Sequence, residues 1–145
     1  MIKIIPKFTT ADIRKMLLQR KQVILDAVLL RLQRVGEQCV IDARNGGSYK
    51  DRTGNLRGSI GYVILYNGAQ LSDNIEGTVE GVRFAKKAIA EIKEKYPTGF
   101  VLIVVSGMVY SLSVEAKGYS VLTPFANEAA IELKKSLQKL TEKIK

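Results

Sequence analysis

The sequence contains no histidine and a single cysteine, Cys39. Without histidine there is no Ser-His-Asp or Cys-His triad, and the commonest general acid or base at neutral pH is missing. One thiol cannot form an internal disulfide, and it suits a reducing compartment. Zinc is held mostly by cysteine and histidine, so no zinc site is expected. Long hydrophobic runs are missing too. The longest strongly apolar stretch, Phe100 to Val105, falls far short of the roughly 20 residues that a membrane helix needs. The opening residues, MIKIIPKFTT, lack the apolar stretch and small-residue cleavage site of a secretory signal. These absences predict a protein that is not an enzyme, takes no cofactor and does not span a membrane.

What is present is an ordinary globular composition, 46% hydrophobic and 26% charged over 145 residues, enough for one domain with one core. The net charge of +9 is uneven. Residues 1–58 carry twelve Lys/Arg against five Asp/Glu, residues 59–118 carry six of each, and residues 119–145 carry five against three. The basicity therefore belongs to the N-terminal segment and the loop that follows it. Such a field attracts nucleic acid or an acidic protein surface.

Hydrophobic periodicity divides the chain. Thr9 or Thr10 can cap a helix, with Asp12 completing part of a capping box. A helical pattern covers residues 10–44, with Ile13, Leu17, Ile24, Ala27, Val28 and Val35 approximating one face. Asn45-Gly46-Gly47-Ser48 breaks it and opens a loop over 45–58. Residues 59–122 read as a sheet with an inserted helix. Ser59 to Tyr66 is apolar on both faces, as a buried strand is. Asn67-Gly68 signals a tight turn into a short strand near Ala69 to Ser72. The inserted helix, about 82–96, shows Ala85, Ala88, Ile89, Ile92 and Tyr96 on one face and stops at Pro97 and Gly99. Phe100 to Val105 reads as a central strand, and Val109 to Glu115 alternates as a further one. Thr123 as N-cap and Pro124 at the first position open a last helix over 123–144, striped by Ala126, Ala129, Ala130, Leu133, Leu137, Leu140 and Ile144. The order predicts an α+β fold, with a long N-terminal and a C-terminal helix packed on a small, mostly antiparallel sheet.

The densest cluster of unusual residues is YKDRTGNLRGSIGY, residues 49–62. It is not a phosphate loop. No Walker pattern or GxGxxG occurs, and the glycines lead into a strand where phosphate loops lead into a helix. Arg44, Lys50, Arg52 and Arg57 with Tyr49 as a stacking residue fit contact with a nucleic-acid strand, but no base-reading module is present. Glu115, on its expected strand, fits an edge residue paired with a cation, and Cys39 a small buried hydrophobe. Tyr96, Tyr110 and Tyr119 fit a core or an interface.

Two segments carry a resemblance. TGNLRGSI, Thr53 to Ile60, is similar to the Thr-Gly-x-Leu-Arg-x-Ser-Ile segment of the tail-completion (neck, or minor tail) protein family of long-tailed bacteriophages. GMVYSLSVEAKGYSVLTPFANEA, Gly107 to Ala129, resembles that family's later stretch through Gly107, Tyr110, Val114, Glu115, Gly118, Pro124 and Phe125, with Ser59 and Ile60 matching in the first. Ser111 departs from the usual alanine, and residues 67–99 insert a helix where many members have a hairpin. The resemblance implies a structural protein of the virion, assembled in the bacterial cytoplasm into the neck or tail. It implies partners that are further copies in a ring and other neck or tail proteins, with non-specific DNA contact as a further expectation. The alternatives are a small basic nucleic-acid-binding protein and a histidine-free nuclease-type toxin. On the first reading, Tyr49, Lys50, Arg52, Thr53, Gly54, Asn55, Leu56 and Arg57 form an interaction loop. Leu56 and Ile60 anchor it, Gly54 turns it, and Arg52 and Arg57 reach a partner or DNA.

Overall fold

A computed structural model describes residues 3–5, 7–51, 54–108 and 110–144. The fold is α+β. Helix α1 (Thr10–Gly46) leads through a one-turn helix α2 (Asn55–Gly58) into strand β1 (Ile60–Tyr66) and strand β2 (Ala69–Asn74). Helix α3 (Val79–Lys95), strand β3 (Phe100–Ser106), the short helix α4 (Ser111–Ala116) and helix α5 (Thr123–Ile144) follow.

The three strands stand in the order β2-β1-β3, each pair antiparallel, with Tyr62 opposite Val104 and Ile64 opposite Leu102. β2 and β3 therefore run parallel to each other, and α3 carries the chain across the sheet between them. The tight turn lies where expected: Asn67 and Gly68 both have positive φ, 50° and 79°. That combination matches the right-handed twist of a two-residue hairpin. Asn67 also ties the turn to the start of β3, accepting from Gly99 N at 2.8 Å through its side chain and donating its own N–H to Gly99 O at 3.0 Å.

Alternation along β1 feeds two cores. Ile60, Tyr62 and Ile64 face the α1/α5 side and pack with Leu32, Val40 and Ala43. Val63 and Leu65 face α3 and pack with Ala85, Ile89, Ile103 and Val105. A strand apolar on both faces is what a layer between helices requires. Gly36 lets α1 approach closely, since a Cβ there would lie 2.9 Å from the Tyr62 ring.

α1 begins at a full capping box: Asp12 N donates to Thr9 Oγ1 at 3.2 Å, and Thr9 N donates to Asp12 Oδ2 at 2.8 Å. Its buried side is not the expected one. Leu32, Gly36, Cys39, Val40 and Ala43 are buried, while Ile13 and Leu17 are exposed. The helix carries apolar residues on several sides, so period alone did not single out the core face. α5 runs antiparallel to α1, with Phe125 against Gly46 at one end and Arg31 Nε donating to Ser136 O at 3.2 Å further along. Tyr96 caps the end of α3 and is exposed, as are Tyr110 and Tyr119, so none of the three joins the core.

A second correction concerns Val109 to Glu115. Val109 lies outside the described residues, and Ser111–Ala116 is helical rather than a strand. β1 already has a neighbour on each side, and β3 stops pairing at Ser106 opposite Ile60. The chain beyond closes its hydrogen bonds internally instead, with Val114 N donating to Tyr110 O at 3.0 Å.

Candidate functional site

The loop after α1 is built inward from its aromatic. Tyr49 and Leu56 are buried with Val121, and Met108 and Val114 pack against them. Gly54, at φ 74°, opens α2 in a conformation that side chains resist. A single turn then brings Leu56 under the loop. Asp51 Oδ2 accepts from Arg57 N at 2.9 Å, closing the loop on itself.

Arg57 does not project. Its guanidinium lies over the Tyr49 ring, 5.4 Å from the centroid, and Nη2 donates to Gly47 O at 3.2 Å. Burial pushes the Tyr49 hydroxyl above its ordinary pKa, and the nearby Arg57 charge only partly counters this. Among the described residues, neither Tyr49 Oη nor Arg57 Nε, both buried, has a hydrogen-bond partner. Lys50 is exposed, and Asn55 is half-buried. Arg52 and Thr53 lie outside the described residues.

The two segments singled out in the sequence meet here. Ser59, buried, donates through Oγ to Leu56 O at 2.8 Å, and its carbonyl accepts from Gly107 N at 3.0 Å. Gly107 sits against α3 so closely that a Cβ would run into the Gly81 carbonyl. Val114 covers Leu56 from the far segment. Glu115 then joins α4 to α5: Oε1 accepts from Leu122 N and Thr123 N, both at 2.7 Å, and Oε2 accepts from Thr123 Oγ1 at 2.8 Å. Partial burial raises its pKa, but the bonds from Thr123, Leu122 and Val121 outweigh this and hold the carboxyl below its ordinary range. The expected cap is thus reversed. Thr123 donates its hydroxyl to Glu115 rather than capping α5 itself, and the first helical bond runs from Ala126 N to Leu122 O. Gly118 takes φ 91° in the connection, Pro124 is exposed, and Phe125 packs into the α1/α5 core.

Between the two segments lies a cleft of about 610 Å³. Tyr49, Lys50 and Leu56 line it from the loop, and Tyr110 and Val114 from α4 and its start. Ser48, Asp51, Lys117 and Tyr119 complete it. Of these, Ser48 and Asp51 carried no sequence signal, because their roles depend on partners far along the chain or across the loop. Ser48 Oγ, for example, accepts from Ser120 N at 2.9 Å. The cleft pairs exposed cations, Lys50 and Lys117, with exposed tyrosine rings. It can therefore hold an acidic or aromatic side chain of a partner. Among the described residues no cluster of three or more His, Cys, Asp or Glu could hold a metal ion, and no helix is long and apolar enough to cross a membrane. No family model, curated protein or solved structure matches the chain.

Proposed function

We propose that the chain is a structural protein of the neck or tail of a long-tailed bacteriophage, acting through contacts with further copies of itself and with other neck or tail proteins. One observation carries this reading. The two segments that resemble the tail-completion family, some fifty residues apart, form one unit through Ser59 O to Gly107 N, Leu56 under Val114, and Glu115 at the head of α5. The unit presents an open cleft. The basic segment 1–58 supplies a field for an acidic partner surface or for DNA passing along the tail axis.

A second reading rests on Lys50 and Lys117 beside Tyr110 and Tyr119 in the cleft, a combination that suits a single nucleic-acid strand. One experiment separates the two. The gene is deleted from the phage or prophage that carries it, and the particles are examined by electron microscopy, with tagged protein supplied in trans. Unjoined heads and tails, rescued by tagged protein that labels the neck or tail end, are expected. Infectious, fully joined particles without the gene would overturn the proposal. Nucleic acid that copurifies at low salt and is released steeply as salt rises would move the assignment to a binding protein.

A further inference from the structure

Among the described residues, the first third of α1 is exposed along its whole length. α5 lies antiparallel beside α1, with Ser136 opposite Arg31. At a rise of about 1.5 Å per residue in both helices, α5 runs out opposite about residue 23. Residues 10–22 continue past it for about 20 Å. This stretch is not a solvated polar helix. Met16 is 68% exposed, Leu17 65%, Leu18 59% and Val23 61%. Leu18 continues, at seven-residue spacing, the side of α1 that holds half-buried Leu25 and buried Leu32. Arg14 and Lys15 flank Leu18 on that face, and Ala11, Gln19 and Gln22 complete a shallow, mixed surface. The exposed apolar side chains stand on different sides of the helix, and Leu18 is the exposed one that lies on the side continuous with the core.

A complementary surface lies elsewhere on the same chain. α1 and α5 leave a trough of about 240 Å³ between them, floored by Val35, Cys39, Phe125 and Ala129. Asp42, Glu128 and Glu132 rim it against one cation, Arg34, in a chain whose net charge is +9. Lys135 reaches Glu132 at 3.7 Å, with both side chains well exposed. Burial raises the Cys39 thiol to about 11, and the Asp42 and Glu128 charges push in the same direction. The trough is too shallow for a whole helix. It suits a row of side chains from a helix lying across it, as a ridge enters a groove. A chain's own free segment cannot reach its own trough, because both lie on one continuous helix at separate heights.

We propose that residues 10–23 of one copy seat in the α1/α5 trough of the next, Leu18 and its neighbours on the apolar floor and Arg14 and Lys15 against Glu128 and Glu132. This takes the self-contact in the proposed function and gives it an interface. The contact is head to tail, since one surface meets a different one, and it builds a ring where the rotation between copies closes.

Charge reversal tests it. One variant carries Arg14→Glu with Lys15→Glu, the other Glu128→Lys with Glu132→Lys, and mass is read by light scattering. Wild type is expected as a discrete oligomer. Each variant alone is expected at the mass of one chain, 16.1 kDa, and an equal mixture is expected to recover an oligomer. All four side chains are exposed, and circular dichroism checks that the variants fold. The neutral pair Glu128→Gln with Glu132→Gln weakens association in the same direction should a reversal misfold. Wild type at one chain's mass at every concentration would overturn the interface. So would an oligomer indifferent to the trough reversal, or a mixture of folded variants that stays at one chain's mass. An oligomer held by another surface leaves the neck proposal standing. A chain absent from particles ends the neck proposal and leaves this interface to its own test.

Discussion

Glu115 shows how much one carboxylate can organise when it faces backbone donors rather than a cation. It collects two N–H groups and a hydroxyl at the head of α5, where the helix field favours a negative charge. Its folded pKa is depressed. Its stabilisation is therefore present above the unfolded value of about 4.3 and is lost as pH falls through the folded one. Glu115→Gln is expected to lower stability at pH 7 by about 1 kcal/mol, the usual worth of a helix cap. The gap from wild type should close as pH drops below about 4.3. Asp12 is also depressed, by its bonds to Thr9, so only the difference between the two proteins isolates Glu115. Urea unfolding at neutral and acid pH reads it, and equal midpoints at pH 7 would refute the role. The sequence marked Glu115 as notable but suggested a cation as its partner. The true partners are two main-chain N–H groups and the Thr123 hydroxyl, seven and eight residues on, which no local pattern announces.

At the level of elements, the sequence was most readable where local chemistry decides the outcome. Asn67-Gly68, the two-sided strand β1 and the boundaries of α1 follow from turn propensity, alternation and capping. It was least readable where tertiary partners decide. Tyr110 to Glu115 alternates well enough for a strand, yet the sheet pairing of β3 ends at Ser106 and the segment closes its hydrogen bonds as a short helix instead. Leu56 and Ile60 anchor the loop as the pattern suggests, whereas Arg57 folds back onto Tyr49, a contact that the linear order hides. α1 itself divides into a packed part and a bare part. In the isolated chain, amides of residues 13–22 are expected to exchange with solvent much faster than those of 32–43, because only the latter are locked by the core. Mass-spectrometric hydrogen exchange at low protein concentration measures this. Equal protection in both stretches would mean that the free part is held by something within its own chain.

At the scale of the molecule, charge and shape are distributed together. Residues 10–22, which run past the end of α5, lie within the basic segment 1–58, and the acid-rimmed trough lies between α1 and α5. α1 is stiff and continuous from Thr10 to Gly46. In the proposed interface the overhang acts as a ruler, fixing the step from one copy to the next and the angular phase of its reading face. Seven residues inserted before Val23 lengthen the step by about 10 Å and shift the phase by only about 20°. Two inserted residues add about 3 Å but turn the face by about 200°. The longer insertion is expected to keep assembly with a wider repeat, and the shorter to abolish it, as particle diameter and mass would report. Spacing in the assembled structure would then be written in residue count along one helix, independently of the body that helix carries.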